Sequence, residues 1–406
     1  MKKLKVLFFA EGATLAHVAR PLMLAKGLDL KHFDVVLCRP ESFSDITVDL
    51  PFPVINLRCQ DRNTFAHKLE LGLPLYDFAI LRHYVDDDLA LIDHEKPDIV
   101  IGDFRLSLSV SARLRTTPYI TICDAYWSPE RKLNPPLPAM GFTRFVPIRF
   151  AEFIFRLISP LAFRLHALPL ERLRAEFGLP SLGFDLRRCY TDADLRLFAN
   201  FSALFQEIRT DTRANFIGPI AWSPDHYGGL EFLDGNEPLI YVTMGSSGDP
   251  GVLEQIVPVL EKLGSRIVIT TAGKALSFAP NPLTTQVFNY LPGSTVCQSA
   301  SLVICNGGSP TTNQALSCGV PVLGIAHNMD QFLNMDTIVK FGAGLLIRAD
   351  RVKTGKLEQA IRLLLNDPKF TERAKLLMAE ASVENPPDIL TEHILLLCGT
   401  KKCNTP

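Results

Sequence analysis

The sequence predicts an α/β protein of two doubly wound, mostly parallel sheets facing a cleft. Three observations carry that expectation. Short apolar runs alternate with helix-like segments through the first half, as parallel sheets with helices on both faces require. A turn-rich stretch, "GPIAWSPDHYGGLEFLDGNEP" at 218–238, interrupts the alternation, which then restarts. And 406 residues exceed the size at which one hydrophobic core keeps growing, so two domains are the default.

The first domain is expected over 1–217. "KVLFFA" (5–10) reads as its first strand and leads through "EGATLA" into a helix from His17 to about Asp29. "DVVLC" (34–38), "DIVIG" (98–102), "YITIC" (119–123) and "LRLFA" (195–199) follow as apolar runs bounded by polar or turn residues. After the linker at 218–238, the second domain is expected over 239–385. It begins with "LIYVTMGSSG" (239–248), a helix near 251–263, "RIVIT" (266–270) and "TTQVFNY" (284–290). "LVIC" (302–305) then ends in a glycine turn, "SPTTNQALSCG" reads as a helix closed by Gly319, and "VPVLGIA" as the next strand. Two helices near 354–365 and 369–382 follow. A last apolar helix, "DILTEHILLLC" within 386–406, is expected to pack back on the first domain.

With 47% hydrophobic and 21% charged residues the chain is globular, and a formal net charge of −1 gives no general pull toward nucleic acid. The start "MKKLKVLFFAEG" reads as a buried strand rather than a signal peptide, because its apolar run stops at Ala10. No uncharged apolar run of 18 residues occurs, so no membrane span is expected. Nine cysteines without a Cys-x-x-Cys pair suggest reduced thiols in a cytosolic protein. Neither a G-x-G-x-x-G fingerprint nor a G-x-x-x-x-G-K-[ST] loop is present, which argues against a dinucleotide cofactor and a P-loop.

The stretch "NGGSPTTNQALSCGVPVLGIAHNMDQ" (306–331) concentrates the chemistry. Ligands of doubly wound sheets sit beyond the carboxyl ends of the strands, where a following helix offers free N–H groups and the positive end of its dipole. Gly307 and Gly308 let backbone approach an anion, and Thr311 and Thr312 place hydroxyls in the first turn. A phosphate site and an ordinary helix cap both fit these residues alone.

A resemblance bears on the choice. "YLP" (290–292), "NGGSPTTNQAL" (306–316), "CGVPVLGIA" (318–326), "DQFLN" (330–334) and "FGAGLLI" (341–347) resemble, in order and spacing, the nucleotide-sugar signature of the two-domain Leloir glycosyltransferases. This class, with GT-B architecture, contains plant UDP-glycosyltransferases and the antibiotic and macrolide glycosyltransferases. "GATLAHVARPLMLAKGL" (12–28) and "PLERLRAEFGLPSLG" (169–183) resemble further segments of it. The resemblance implies that Tyr290 stacks on a pyrimidine base and that Asn306, Thr311 and Ser246 contact the diphosphate. It also implies that Gln314 holds the ribose, and that Asp330 and Gln331 bind hydroxyls of the donor sugar. Asn306 stands where the family usually has His, and Gln314 where it commonly has Glu. A UDP-sugar is the expected donor, with a dTDP-sugar open beside it.

The same resemblance makes His17 the base that takes the acceptor proton in an inverting transfer, with Asp103, after "DIVIG", as its partner. The alternatives are a helix-start residue packed under a loop for His17 and a helix N-cap for Asp103. No cofactor or metal is expected beside the donor: helix N-termini and hydroxyls, rather than an Asp-x-Asp motif, are expected to neutralise the phosphates. A nucleotide-sugar epimerase and a non-catalytic sugar-nucleotide-binding auxiliary protein are the rivals. His327 lies near the expected donor pocket, and His67, His83 and His94 fall in a region of no aligned role.

The acceptor is expected to be a small-molecule or lipid-linked alcohol. The apolar segment 141–169 carries Arg144, Arg149, Arg156 and Arg164 against one acid, Glu152. It reads either as a membrane-surface contact or as an acceptor-pocket helix, and Pro147 and Pro160, as helix breakers, favour the second.

Overall fold

The computed structural model describes residues 2–211, 213–223, 230–233, 235, 237–245 and 250–402. Two all-parallel sheets organise it. The first has seven strands: β1 (Leu4–Ala10), β2 (Phe33–Arg39), β3 (Val54–Asn56), β4 (Ile99–Asp103), β5 (Tyr119–Cys123), β6 (Leu195–Phe198) and β7 (Ala214–Phe216), in the order β3-β2-β1-β4-β5-β6-β7. Its helices are α1 (Leu15–Gly27), α2 (Arg62–Leu71), α3 (Phe78–Glu95), α4 (Leu108–Leu114), α5 (Ile148–Glu176) and α6 (Leu186–Thr191). The second sheet has six strands: β8 (Leu239–Thr243), β9 (Arg266–Thr270), β10 (Thr285–Phe288), β11 (Leu302–Cys305), β12 (Val322–Ala326) and β13 (Gly344–Arg348), in the order β10-β9-β8-β11-β12-β13. Around it lie α7 (Leu253–Lys262), α8 (Gly293–Ser299), α9 (Ser309–Ser317), α10 (Met329–Phe341), α11 (Thr354–Asn366) and α12 (Pro368–Val383), and α13 (Pro386–Lys402) closes the chain.

The central strands are uninterrupted apolar runs because both faces are covered. Val6 to Ala10, Ile99 to Ile101 and Leu302 to Cys305 have no exposed surface. The strand order reverses between β1 and β4 in the first sheet and between β8 and β11 in the second, placing a crevice at the carboxyl end of each. Helix α13 returns to the first domain. Its Leu390 and Ile394 join the core containing Val18, Leu22 and Ala25 of α1.

Two edge strands, β3 and β7, escape the sequence reading because each is only three residues long. A larger correction concerns α5, which runs unbroken for 29 residues through Pro160 and Pro169. Pro160 cannot donate to the carbonyl of Arg156, four residues back, and the Ser159 hydroxyl takes that acceptor instead at 3.3 Å. Pro147 sits at the N-cap, where a missing N–H costs little. The helix that the prolines were expected to break is therefore intact.

Candidate active site

The two crevices face each other across one cleft of about 1620 Å³, lined from the first domain by His17, Arg20, Asp103, Phe104, Asp124 and Trp127. From the second domain Tyr290, Asn306, Gly308, Thr311, Gln314, His327, Asp330 and Gln331 line it.

The loop after β1 must pass closely under its neighbours. A Cβ on Gly12 would lie 2.8 Å from Pro40 and 3.2 Å from Cys59. Beneath that loop Arg105 binds Asp88 Oδ1 at 3.0 Å and Glu11 Oε2 at 3.1 Å, and Tyr84 donates to Glu11 Oε1 at 3.2 Å. Burial pushes both the Glu11 and the Asp88 carboxyls up, against the pull of Arg105. This network fixes the start of α1, whose first turn carries His17.

His17 Nδ1 lies 2.7 Å from Asp103 Oδ1 at the end of β4. With the Nδ1 proton donated to that carboxylate, Nε2 is the basic nitrogen, and it has no hydrogen bond among the described residues. The imidazole stacks on Phe104 with centroids 4.8 Å apart, and Phe104 holds φ at +57°, a strained left-handed conformation for a bulky residue.

Sequence reasoning missed Arg20, Asp124 and Trp127. Arg20 forks onto Asp103, Nε to Oδ2 at 2.7 Å and Nη2 to Oδ1 at 2.9 Å, and reaches Asp124 Oδ2 with Nη1 at 2.8 Å. Asn200 Nδ2 holds the other oxygen of Asp124 at 3.2 Å. Burial pushes the Asp124 carboxyl up, but the Arg20 guanidinium outweighs it and leaves the group below its ordinary range. The available signals were modest: Arg20 lies three positions after His17, on the same helical face, and Asp124 directly follows β5.

The second wall uses little charge. Gly307 holds φ at +81°, and a Cβ there would meet Met335 at 2.6 Å, so only glycine fits the turn before α9. Pro310 occupies the first turn of α9, and Thr311 stands partly exposed on the cleft wall. Thr312, by contrast, is turned inward: its hydroxyl donates to Gly308 O at 3.2 Å and accepts from Asn334 Nδ2 at 2.8 Å. Asn306 Oδ1 accepts from the Gly308 N–H at 3.2 Å. The Tyr290 ring is half exposed, with its hydroxyl bonded to Ala272 O at 3.1 Å. Ser246 lies outside the described residues.

Three expected donor contacts are engaged inside the protein. Gln314 Nε2 donates to Trp222 O at 2.6 Å. The Asp330 carboxylate accepts from Tyr126 Oη at 2.9 Å and Trp127 Nε1 at 2.8 Å, which ties the two walls together. Burial first, and then the charge of Asp124, push the Asp330 carboxyl up. Gln331 Oε1 accepts from His327 N at 2.8 Å, while its Nε2 is buried without a partner among the described residues. His67, His83 and His94 stand exposed on α2 and α3.

Two Asp-x-Asp triplets do occur, at Asp86–Asp88 and Asp192–Asp194, away from the cleft lining. Asp88 is committed to Arg105, Asp192 to Arg113 and Arg174, and Asp194 to the Tyr119 N–H.

Comparisons with known proteins bear on the family and the fold. Residues 254–396 match the family described as "Erythromycin biosynthesis protein CIII-like, C-terminal domain". A "PGL/p-HBAD biosynthesis glycosyltransferase" of Mycobacterium tuberculosis is 39% identical over 383 residues, covering 94% of this chain and 89% of that protein. A "PGL/p-HBAD biosynthesis rhamnosyltransferase" of Mycobacterium bovis is 36% identical over 375 residues, covering 92% of this chain and 83% of that protein. Among solved structures, a spinosyn rhamnosyltransferase complexed with thymidine diphosphate shares the fold at TM-score 0.71 and 15% identity, over 96% of this chain and 99% of that one. The chain is thus an enzyme of the nucleotide-sugar-dependent glycosyltransferase family, of GT-B architecture and the antibiotic and macrolide type.

Proposed function

We propose that the chain transfers a sugar from a nucleoside diphospho-sugar, UDP-linked in the first instance, to a hydroxyl acceptor with inversion at the anomeric carbon, and that His17 is the general base. The observation that carries this reading is the His17–Asp103 pair, 2.7 Å apart, with Nε2 unengaged and lining the cleft opposite the glycine turn before α9. A base so placed takes the acceptor proton as the oxygen attacks, and Asp103 fixes the tautomer and stabilises the imidazolium. On the donor wall, the α9 N-terminus and the Thr311 hydroxyl would receive the diphosphate, and the partly exposed Tyr290 ring would receive the base. The unpartnered Gln331 Nε2 would donate to a sugar hydroxyl. The reaction as proposed needs no metal and no cofactor beyond its donor.

A dTDP-sugar is the second reading. A rhamnosyltransferase among the relatives and a structural neighbour complexed with thymidine diphosphate favour carrying it. The cleft wall supplied by Phe104, Phe142, Phe150 and Ile154 is apolar and aromatic, which makes an aromatic or lipidic acceptor the first to try.

The test is product analysis with UDP- and dTDP-hexoses against phenolic and aliphatic alcohols. Transfer with release of the nucleoside diphosphate and an inverted anomeric signal by NMR is expected. Interconversion of two nucleotide sugars without an acceptor would replace the reading with an epimerase. Donor binding with neither transfer nor hydrolysis would replace it with the auxiliary protein.

A further inference from the structure

Helix α5 carries more apolar surface than the fold uses. Ala151, Phe155, Ala162 and His166 line the cleft. A second row of side chains, Phe150, Phe153, Leu157, Leu161, Leu165 and Leu168, recurs three or four residues apart and so forms one stripe along the helix. That stripe stands in solvent: Phe150 is 63% exposed, and Leu157 and Leu161 are each 64% exposed. Phe142 and Phe145, the latter 88% exposed, extend it before the helix begins. Phe142, Phe150, Ile154 and Ile158 belong to both surfaces, since they line the cleft and are exposed. Val48 and Leu71, from elsewhere in the first domain, do the same. An apolar track therefore runs without interruption from the outer face of α5 into the acceptor side of the cleft. Exposed patches of this extent on a folded chain mark a docking surface.

Charge selects the occupant. Arg144, Arg149, Arg156 and Arg164 are exposed beside the stripe, none has an ion pair among the described residues, and Glu152 is the one acid in the segment. Arg149 and Arg156, seven residues apart, share one flank of the helix. A second copy of the chain would bring like charges together, whereas an anionic lipid surface receives them.

The helix is long and apolar enough to cross a membrane, but it is anchored at both ends in the fold. Ala167, Leu170 and Leu173 are buried, and Arg174 binds Asp192 at 3.0 Å. In front of its N-terminus, Arg351 of the second domain holds Thr143 O at 2.6 Å and Val146 O at 2.5 Å. A helix so tied lies along a membrane surface rather than through it.

We propose that this face of α5 docks the chain on an anionic membrane surface, with the cleft mouth against the lipid, so that a lipid-linked alcohol enters the acceptor site along the apolar track. The docking stands on the stripe and its arginines alone; the acceptor class rests on the transferase reading.

The test is co-sedimentation of the full chain with vesicles of phosphatidylcholine alone and of phosphatidylcholine with phosphatidylglycerol. Binding is expected to the anionic vesicles and to fall as salt rises. Arg149→Gln/Arg156→Gln/Arg164→Gln should weaken it about 100-fold, at about five-fold per cation, and flatten the salt dependence. Leu157→Asp/Leu161→Asp, at two positions outside the cleft lining, should weaken it about ten-fold or more. UDP and dTDP binding, unchanged in both variants, shows that the fold is intact. Vesicle binding without transfer to any alcohol would sink the transferase reading and leave the docking. A chain that transfers sugar but stays in the supernatant overturns the docking, as does equal vesicle binding by the aspartate variant. Loss of a dimer in that variant, with no vesicle binding by the unaltered chain, would assign the face to a second copy instead.

Discussion

The two walls of the cleft come from sheets of the same kind and do opposite things with charge. On the first wall His17, Arg20, Asp103 and Asp124 form one interlocked set, every link between 2.7 and 2.9 Å. On the second, the corresponding position beyond β11 offers glycines, a proline, a hydroxyl and amides at the head of α9. Proton transfer needs a titrating group whose orientation and counter-charge are set in advance, so fixed ions are built in. Holding a diphosphate that arrives and leaves needs donors that cost little when empty, and a helix N-terminus with hydroxyls supplies them. The difference teaches that chemistry and donor binding are separable in this chain, and each prediction tests that separation.

The largest effect is expected at the base. His17→Ala should lower kcat by about 100- to 10,000-fold, the range for loss of a positioned general base, and Asp103→Asn by a comparable or smaller factor, both read by product release under saturating donor. Near-normal turnover in His17→Ala would remove the proton-transfer role from the first wall.

Arg20 tests whether that wall is a unit. Arg20→Ala leaves Asp103 and Asp124 buried beside each other without their shared cation, and a loss of about 3–5 kcal/mol in unfolding free energy is expected by denaturant titration. Arg20→Lys keeps the charge but not the fork, so it should recover part of the stability and less of the activity. An Arg20→Ala protein of normal stability would show that the carboxylates are not held as the structure places them.

On the donor wall, Thr311→Ala removes one hydroxyl from the head of α9 and should weaken nucleoside diphosphate binding by about 1.5–3 kcal/mol, as for a hydrogen bond to a charged group. Calorimetry on UDP and dTDP reads it, and unchanged affinity for both would take α9 out of the phosphate site.

The smallest effect sits where the walls are joined. Glu384, between α12 and α13, packs against Gly218, and burial together with Glu380 pushes its carboxyl up to about 7. A carboxyl raised in the folded state favours folding below its unfolded value near 4.5 and loses that contribution as pH rises through about 7. Glu384→Gln, neutral throughout, should therefore raise Tm by about 1–3 °C near pH 8, by less as the pH falls, and leave it nearly unchanged at about pH 4, below the unfolded value. An equal shift at both pH values would point to packing rather than charge.

How much of this was legible in the sequence follows the same division. Buried strands such as "KVLFFA" and "LVIC" announce themselves because both faces are apolar, and the turn at Gly307 because its left-handed backbone and close neighbour Met335 call for glycine. His17 and Asp103 were found through the resemblance and the strand ends. Arg20 and Asp124 were not, since a charge on a buried helix face looks like any surface charge until its partners converge from β4 and β5. The outward commitments of Gln314 and Asp330, to Trp222 and to Tyr126 and Trp127, were invisible because they link segments about 90 and 200 residues apart. The unbroken α5 was misjudged because its rescue depends on the Ser159 hydroxyl, which no proline rule includes.

The most direct test of the separation is a calorimetric titration of UDP and dTDP into His17→Ala. The proposed nucleotide contacts all lie on the second wall, so the account predicts a Kd within about two-fold of the unaltered chain even where turnover has collapsed. A Kd weakened in step with kcat would contradict it, and would make His17 part of the donor site rather than the acceptor's base.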